Sequence, residues 1–199
     1  MWRKVFAVTL ILCGLSVIIF PMVRDGYLKY QQNNMINQWR SSLMQVSDGA
    51  LGQTDSDDQD NTMQPDLTED MEALLIIEKI GLRIPVLTGV TDHNLKQAAA
   101  SIIGTGKPGE IGNYCIAAHR SRTYGIQFNR LDELIKGDAI IIETNNQSYT
   151  YIVTESMIVE PDKVEVLQND GQKKQITLIT CDYRTKPYLR FIVKGELGD

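Results

Sequence analysis

The alternation of apolar and polar positions divides the chain into segments of different texture. From Val5 to Val23 the side chains are uncharged and mostly apolar, bracketed by Arg3 and Lys4 on one side and Arg24 on the other. A helix needs about 20 apolar residues to cross the hydrocarbon core of a bilayer, so this run predicts a membrane-spanning helix. A cleavable signal has a shorter apolar region, about 7 to 15 residues, that ends in small residues. Here the run ends in Phe20-Pro21-Met22-Val23, and an uncleaved anchor is expected. The positive charges before the run place the N-terminus in the cytoplasm and the remainder outside the cell membrane, crossed once. After the run, Met35, Ile36, Trp39, Leu43 and Met44 recur at spacings of three and four within Tyr27 to Val46, which marks one helical face. That stalk helix has two resting places open to it, the headgroup layer or the surface of the globular domain.

From Ser47 to Asp70 the chain turns to Asp, Gln, Ser, Thr and Asn, with Asp55-Ser56-Asp57-Asp58-Gln59-Asp60 at its centre. Too little apolar surface is available there to offset the entropy of ordering, so a disordered linker is expected. An EF-hand is not: the regular acidic spacing and turn glycine are missing. After Met71 come short β-rich runs, namely Ala73 to Ile77, Leu82 to Leu87, Asn113 to Ala118, Ala139 to Glu143, Ser148 to Glu155, Gln175 to Thr180 and Leu189 to Lys194. Many short strands at this spacing predict a closed barrel or a sandwich. Helical composition interrupts them at His93 to Ala100 and at Phe128 to Leu134. The expected division is 1–24 cytoplasmic tip and anchor, 25–71 stalk helix and acidic linker, and 72–199 a mainly β domain.

Charge and cysteine count narrow the chemistry. A formal net charge of -5 offers no basic face for phosphate, which excludes nucleic acid as a partner. Three cysteines, Cys13, Cys115 and Cys181, are too few for a disulfide framework. Cys181 follows the apolar strand Ile176 to Thr180 and precedes the polar Asp182-Tyr183-Arg184, a rigid yet accessible position for a nucleophile. His119 closes the strand Tyr114 to Ala118 in the same way, and Arg190 begins a third strand. Thiol attack on an amide requires a proton donor for the leaving amine and a positive group for the oxyanion, roles that His and Arg can fill. On the residues alone, bland readings stay open: a buried thiol, a strand-end histidine and a surface cation.

Thr177-Leu178-Ile179-Thr180-Cys181 resembles the Thr-Leu-x-Thr-Cys signature of the sortase family, and Ile116-Ala117-Ala118-His119-Arg120 is similar to that family's histidine strand. Arg190 stands where sortases place their arginine, and Phe128-Asn129-Arg130-Leu131, Lys136-Gly137-Asp138 and Val159-Glu160-Pro161 resemble the family too, so the likeness runs from about Leu74 to Glu196. The resemblance implies an eight-stranded sortase barrel with short helices, holding a Leu-Pro-x-Thr sorting signal of a secreted protein. It implies cleavage after the threonine, Gly or Ala following, through a Cys181 thioester, with His119 as proton carrier. Transfer to an amine of a peptidoglycan precursor (lipid II) would then anchor the protein to the cell wall. Arg190 and the Thr180 region would bind the oxyanion; Ala117, Val159, Pro161, Val164, Leu167 and Ile179 would form the apolar pocket, the alternative for these being ordinary core and loop packing. No metal or organic cofactor enters this chemistry, and Gly106 to Gly112, with one carboxylate and a lysine, lacks the acidic cluster of calcium-dependent class A enzymes. The short Cys181–Arg190 loop and the N-terminal anchor look most like class D sortases of bacilli.

Competing readings make different demands. Papain-like proteases place cysteine early and histidine far downstream, the reverse of this order. Cys115, Cys181, His93 and His119 lack the paired spacing of zinc sites. A membrane-tethered barrel that only binds extracellular peptides would tolerate Cys181→Ala. Cys115 shares a strand face with Ala117 and His119, so it is either a structural thiol or a redox partner of Cys181.

Overall fold

A computed structural model describes residues 2–48, 70–169, 171–184 and 186–198. Eight strands close into a barrel: β1 (Met71–Ile77), β2 (Leu82–Thr88), β3 (Ala99–Ser101), β4 (Gly112–Ala117), β5 (Ala139–Glu143), β6 (Ser148–Val159), β7 (Lys174–Asp182) and β8 (Leu189–Leu197), in the order β1-β2-β3-β4-β7-β8-β6-β5. The pairs β2–β3 and β4–β7 are parallel and the rest antiparallel. Inward side chains such as Leu75, Ile84, Tyr114, Ile116, Phe128, Tyr151, Leu178 and Val193 make one continuous core. From Ala73 to Ile77 β1 is continuously apolar because both its faces are covered: Ala73, Leu75 and Ile77 point into the barrel, while Leu74, with Met71, lies under a helix.

That helix, α1 (Trp2–Asp48), is continuous across the apolar run and the amphipathic segment. Side chains of the apolar run stand exposed, whereas Met35, Ile36 and Trp39 are 3–4% exposed against Met71, Leu74, Leu87 and Ala98. The amphipathic face therefore lies on the barrel, not on headgroups. Each such side chain contributes about 1.5–3 kcal/mol relative to exposure. Gln32 Nε2 donates to the Gln97 carbonyl at 2.6 Å and Arg40 pairs with Glu143 at 2.8 Å, fixing the helix lengthwise. The acidic stretch expected to be a linker falls, over 49–69, outside the described residues.

The expected helix His93 to Ala100 is shorter, α2 (Asp92–Gln97), capped by Thr91 Oγ1 accepting from the Asn94 N–H at 3.1 Å. Its alanines go to β3, where Ala99 and Ala100, fully buried, pair with β2 and Ala100 with β4. Pairing with β2 and β4 overrides alanine's helix propensity there. The other helical stretch is a 3-10 turn, Phe128–Glu133. In β6 the register shifts between Val153 and Glu155, so Val153 points inward while Met157 and Val159 share the outward face of Ile192 and Arg190.

Candidate active site

Gly112 through Ala117 of β4 pair in parallel with Lys174 through Ile179 of β7. Ala118 keeps the register, its N–H donating to the Ile179 carbonyl at 3.1 Å and its carbonyl accepting from Thr180 Oγ1 at 2.9 Å. Carried one residue further, this register sets His119 level with Cys181 at the same end of strands that lie about 4.8 Å apart. From the other side Arg190 of β8 is the antiparallel partner of Cys181, and its Nη1 donates to Sγ at 3.5 Å. Because Ile116, Ala118, Leu178 and Phe191 fill the barrel, their neighbours His119, Ile179, Cys181 and Arg190 face outward. His119 is exposed, while Cys181 and Arg190 are half-buried.

The loop between Cys181 and Arg190 adds two residues that spacing did not single out. Tyr183 and Tyr188 meet edge to face, ring centres 5.0 Å apart, over the start and end of the loop. Partial burial raises the Tyr183 phenol, and its neighbour Cys181 raises it further. Their only sequence signal is a pair of tyrosines inside a short loop joining a cysteine to an arginine. On the opposite face, the buried Asp182 carboxylate accepts from Arg184 Nε at 2.9 Å and Nη2 at 2.7 Å, and these bonds hold it below the ordinary carboxylate range. This pair ties the loop to the strand end that carries Cys181.

The outer face of β4, β7, β8 and β6 forms a shallow floor from Ala117, Ile179, Ile192 and Met157, with Val159 beside Arg190. Met157, missed by motif reading, lies there because of the β6 bulge, and Ile192, also missed, because its neighbours Phe191 and Val193 fill the barrel. The segment after β6 carries Pro161 and a 3-10 turn, Val164–Leu167. Asn113, 1% exposed, fixes this turn: its Nδ2 donates to the Val166 carbonyl at 3.0 Å and the Gln168 carbonyl at 3.3 Å, while Oδ1 accepts from Thr177 Oγ1 at 2.7 Å. Cys115 is buried behind the turn, its thiol 3.9 Å from the Leu167 carbonyl, and burial pushes it up to about 11. Val164 stands 61% exposed, and Leu167 is half-buried and lines a cavity of about 680 Å³ together with Ile102, Ile103 and Ile111. The Thr180 side chain is 3% exposed and donates to the Ala118 carbonyl, which leaves its backbone beside Cys181. Even-numbered β7 residues face the core, and the Thr-Cys signature has its threonine on that side.

Residues 75–198 match the model of the sortase domain. The chain belongs to the sortase family. It is an enzyme of the sortase transpeptidase class. Sortase A of Bacillus anthracis is 33% identical over 205 residues, covering 98% of this chain and 93% of that protein. Sortase D of Bacillus subtilis is 23% identical and covers 98% of each. A Clostridium perfringens sortase D5 transpeptidase superposes with a TM-score of 0.67 at 26% identity, covering 85% of this chain and 99% of that one. The closed eight-stranded barrel is thus the sortase fold, and α1 of this sortase is long and apolar enough to cross a membrane.

Proposed function

We propose that this sortase cleaves a Leu-Pro-x-Thr-(Gly/Ala) signal after the threonine, with Cys181 as nucleophile, His119 as proton carrier and Arg190 at the oxyanion. The observation that carries the reading is the convergence of three strand ends, with Arg190 Nη1 3.5 Å from Sγ and His119 in register beside it. The sulfur attacks the threonine carbonyl carbon, forming a C–S bond and an oxyanion that Arg190 meets with positive charge. Collapse breaks the C–N bond, and the departing amine takes its proton from His119. An acceptor amine then attacks the thioester, returns a proton to His119 and releases the Cys181 sulfur. The acceptor is the amine of a peptidoglycan precursor, lipid II, and the donors are secreted proteins bearing the signal.

The groove has the reach for this substrate. From the Leu to the Thr an extended signal spans about 10 Å, and Cys115, behind the Leu167 turn, lies about 13 Å along β4 from His119. The apolar residues Ala117, Ile179, Val159, Pro161, Val164 and Leu167 would flank the leucine and proline, opposite the reacting end. In this reading residues 1–24 are the cytoplasmic tip and anchor, 25–71 the stalk and linker, and 72–199 the extracellular catalytic unit. The test is mass spectrometry of the protein with a Leu-Pro-x-Thr-Gly or Leu-Pro-x-Thr-Ala peptide and an amine, comparing wild type with Cys181→Ala and Cys115→Ala. A thioester adduct and amine-linked product that vanish only in Cys181→Ala are expected. Intact peptide in every sample, under conditions where another sortase cleaves it, would sink the proposal in favour of a binding barrel.

A further inference from the structure

α1 meets the barrel as soon as its apolar run ends. At ~1.5 Å per residue, Val5–Val23 covers about 28 Å, close to the ~30 Å hydrocarbon thickness of a bilayer. Asp25, two residues beyond, is already 8% exposed against the domain. Arg24, Asp25 and Leu28 form one wall of a cavity of about 440 Å³ whose other walls include Lys96, Arg122 and His119. Those three α1 residues lie ~1.5 to 7.5 Å past the end of the run, and the headgroup layer of each leaflet is roughly 5 to 7.5 Å deep. A bilayer crossed by that run would therefore set the cavity at the level of lipid phosphates, with the candidate catalytic histidine in its wall.

Its charge fits that location. Arg24, Lys96 and Arg122 outnumber the single carboxylate Asp25, in a chain whose net charge is -5. Arg24 is engaged by Asp25 at 3.3 Å, whereas Lys96 and Arg122 have no ion pair among the described residues. Cations held at the headgroup level attract anionic lipid. Its volume lies within the usual range of ligand sites.

We infer that this cavity binds the phosphate group of a membrane lipid, through Lys96 and Arg122 with Arg24 at its rim, directly beside His119. Two lipids carry that chemistry: an anionic phospholipid of the bilayer, and a polyprenyl pyrophosphate bearing the acceptor amine. The second rests on the transpeptidase reading above and would deliver the amine to the thioester from the histidine side, opposite the peptide groove.

The experiment is native mass spectrometry of the full chain released from nanodiscs of phosphatidylcholine doped with either phosphatidylglycerol or a polyprenyl pyrophosphate. Wild type is compared with Lys96→Gln/Arg122→Gln, with the charge-conserving Lys96→Arg/Arg122→Lys, and with Lys136→Gln as a charge loss on another surface. Each lost cation weakens phosphate-lipid retention about fivefold, so the Gln pair retains roughly 25-fold less. Wild type, the charge-conserving pair and Lys136→Gln retain one lipid alike, and the lipid retained names the source. Equal retention by all four proteins, or retention of neither lipid by wild type, overturns the site. Should the Gln pair not fold, equal loss in the charge-conserving pair would likewise overturn it. Peptide cleavage by wild type in the same discs reports separately on the transpeptidase reading, so the two can fail independently.

Discussion

Cys115 and Cys181 lie on neighbouring parallel strands and point to the same outer face, yet their surroundings separate them. Cys115 is fully buried, and loss of water pushes its thiol up to about 11. Cys181 stands half-exposed beside Arg190 and Tyr183. Iodoacetamide at pH 8 is expected to alkylate Cys181 in the folded protein and leave Cys115 unmodified until it is unfolded, as peptide mapping would show. Asp182 makes the second prediction at this scale. Arg184 depresses its carboxyl in the fold, so its stabilisation is present above the unfolded value, near ~4, and is lost as pH falls through the lower folded value. Asp182→Asn should therefore melt a few degrees below wild type at pH 7, with the gap closing as the pH falls below about 4 in calorimetric scans. A gap that widened in acid would contradict the pairing. The residues carrying these effects were unequally legible. Cys181, His119 and Arg190 stood out as candidates by their places at strand ends together with the motifs that resemble the family's, whereas Tyr183 gains a place beside Cys181 only once the loop folds.

At the scale of elements, the groove depends on two devices that hydrophobic alternation does not show. The β6 bulge reverses which face Met157 and Val159 present, and strict alternation would have sent Val159 into the core. The 3-10 turn after β6 is held on the barrel by one buried amide, Asn113, reaching two of its carbonyls. Asn113→Ala should release the turn that flanks the proposed signal. We expect the KM for a Leu-Pro-x-Thr peptide to rise about tenfold, the magnitude of one or two lost hydrogen bonds, with a smaller change in kcat. An equal fall in kcat would place the effect at the thiol instead. The strands themselves were legible from β-branched, alternating runs. The exception was β3, where an alanine run is helix-forming in isolation and becomes a strand by pairing with β2 and β4.

On the scale of the whole molecule, α1 unites the apolar run and the face that covers the barrel in one element. Its apolar run was legible by length alone, and its amphipathic face by spacing. What the face covers was not, because Leu74 and Met71 read in sequence as ordinary strand residues. Their outward side chains join Leu87 and Ala98 in a patch that Met35, Ile36 and Trp39 cover. Removing α1 should uncover an apolar patch where β1 and β2 close the barrel, a hazard for any protein surface of that kind. A chain comprising 70–199 is therefore expected to melt at least roughly 5 °C below one comprising 25–199, and to bind a hydrophobic dye that the longer chain does not. Trp39→Ala in the longer chain should move it part of the way, since deleting a large buried side chain costs about 3–5 kcal/mol in a well-packed core. Equal melting of the two chains would mean that the helix rides on the barrel without stabilising it. A lower melting point would instead make the helix part of the folded unit, so that the distance of the barrel from the apolar run is set by the register of α1 and not by a slack tether.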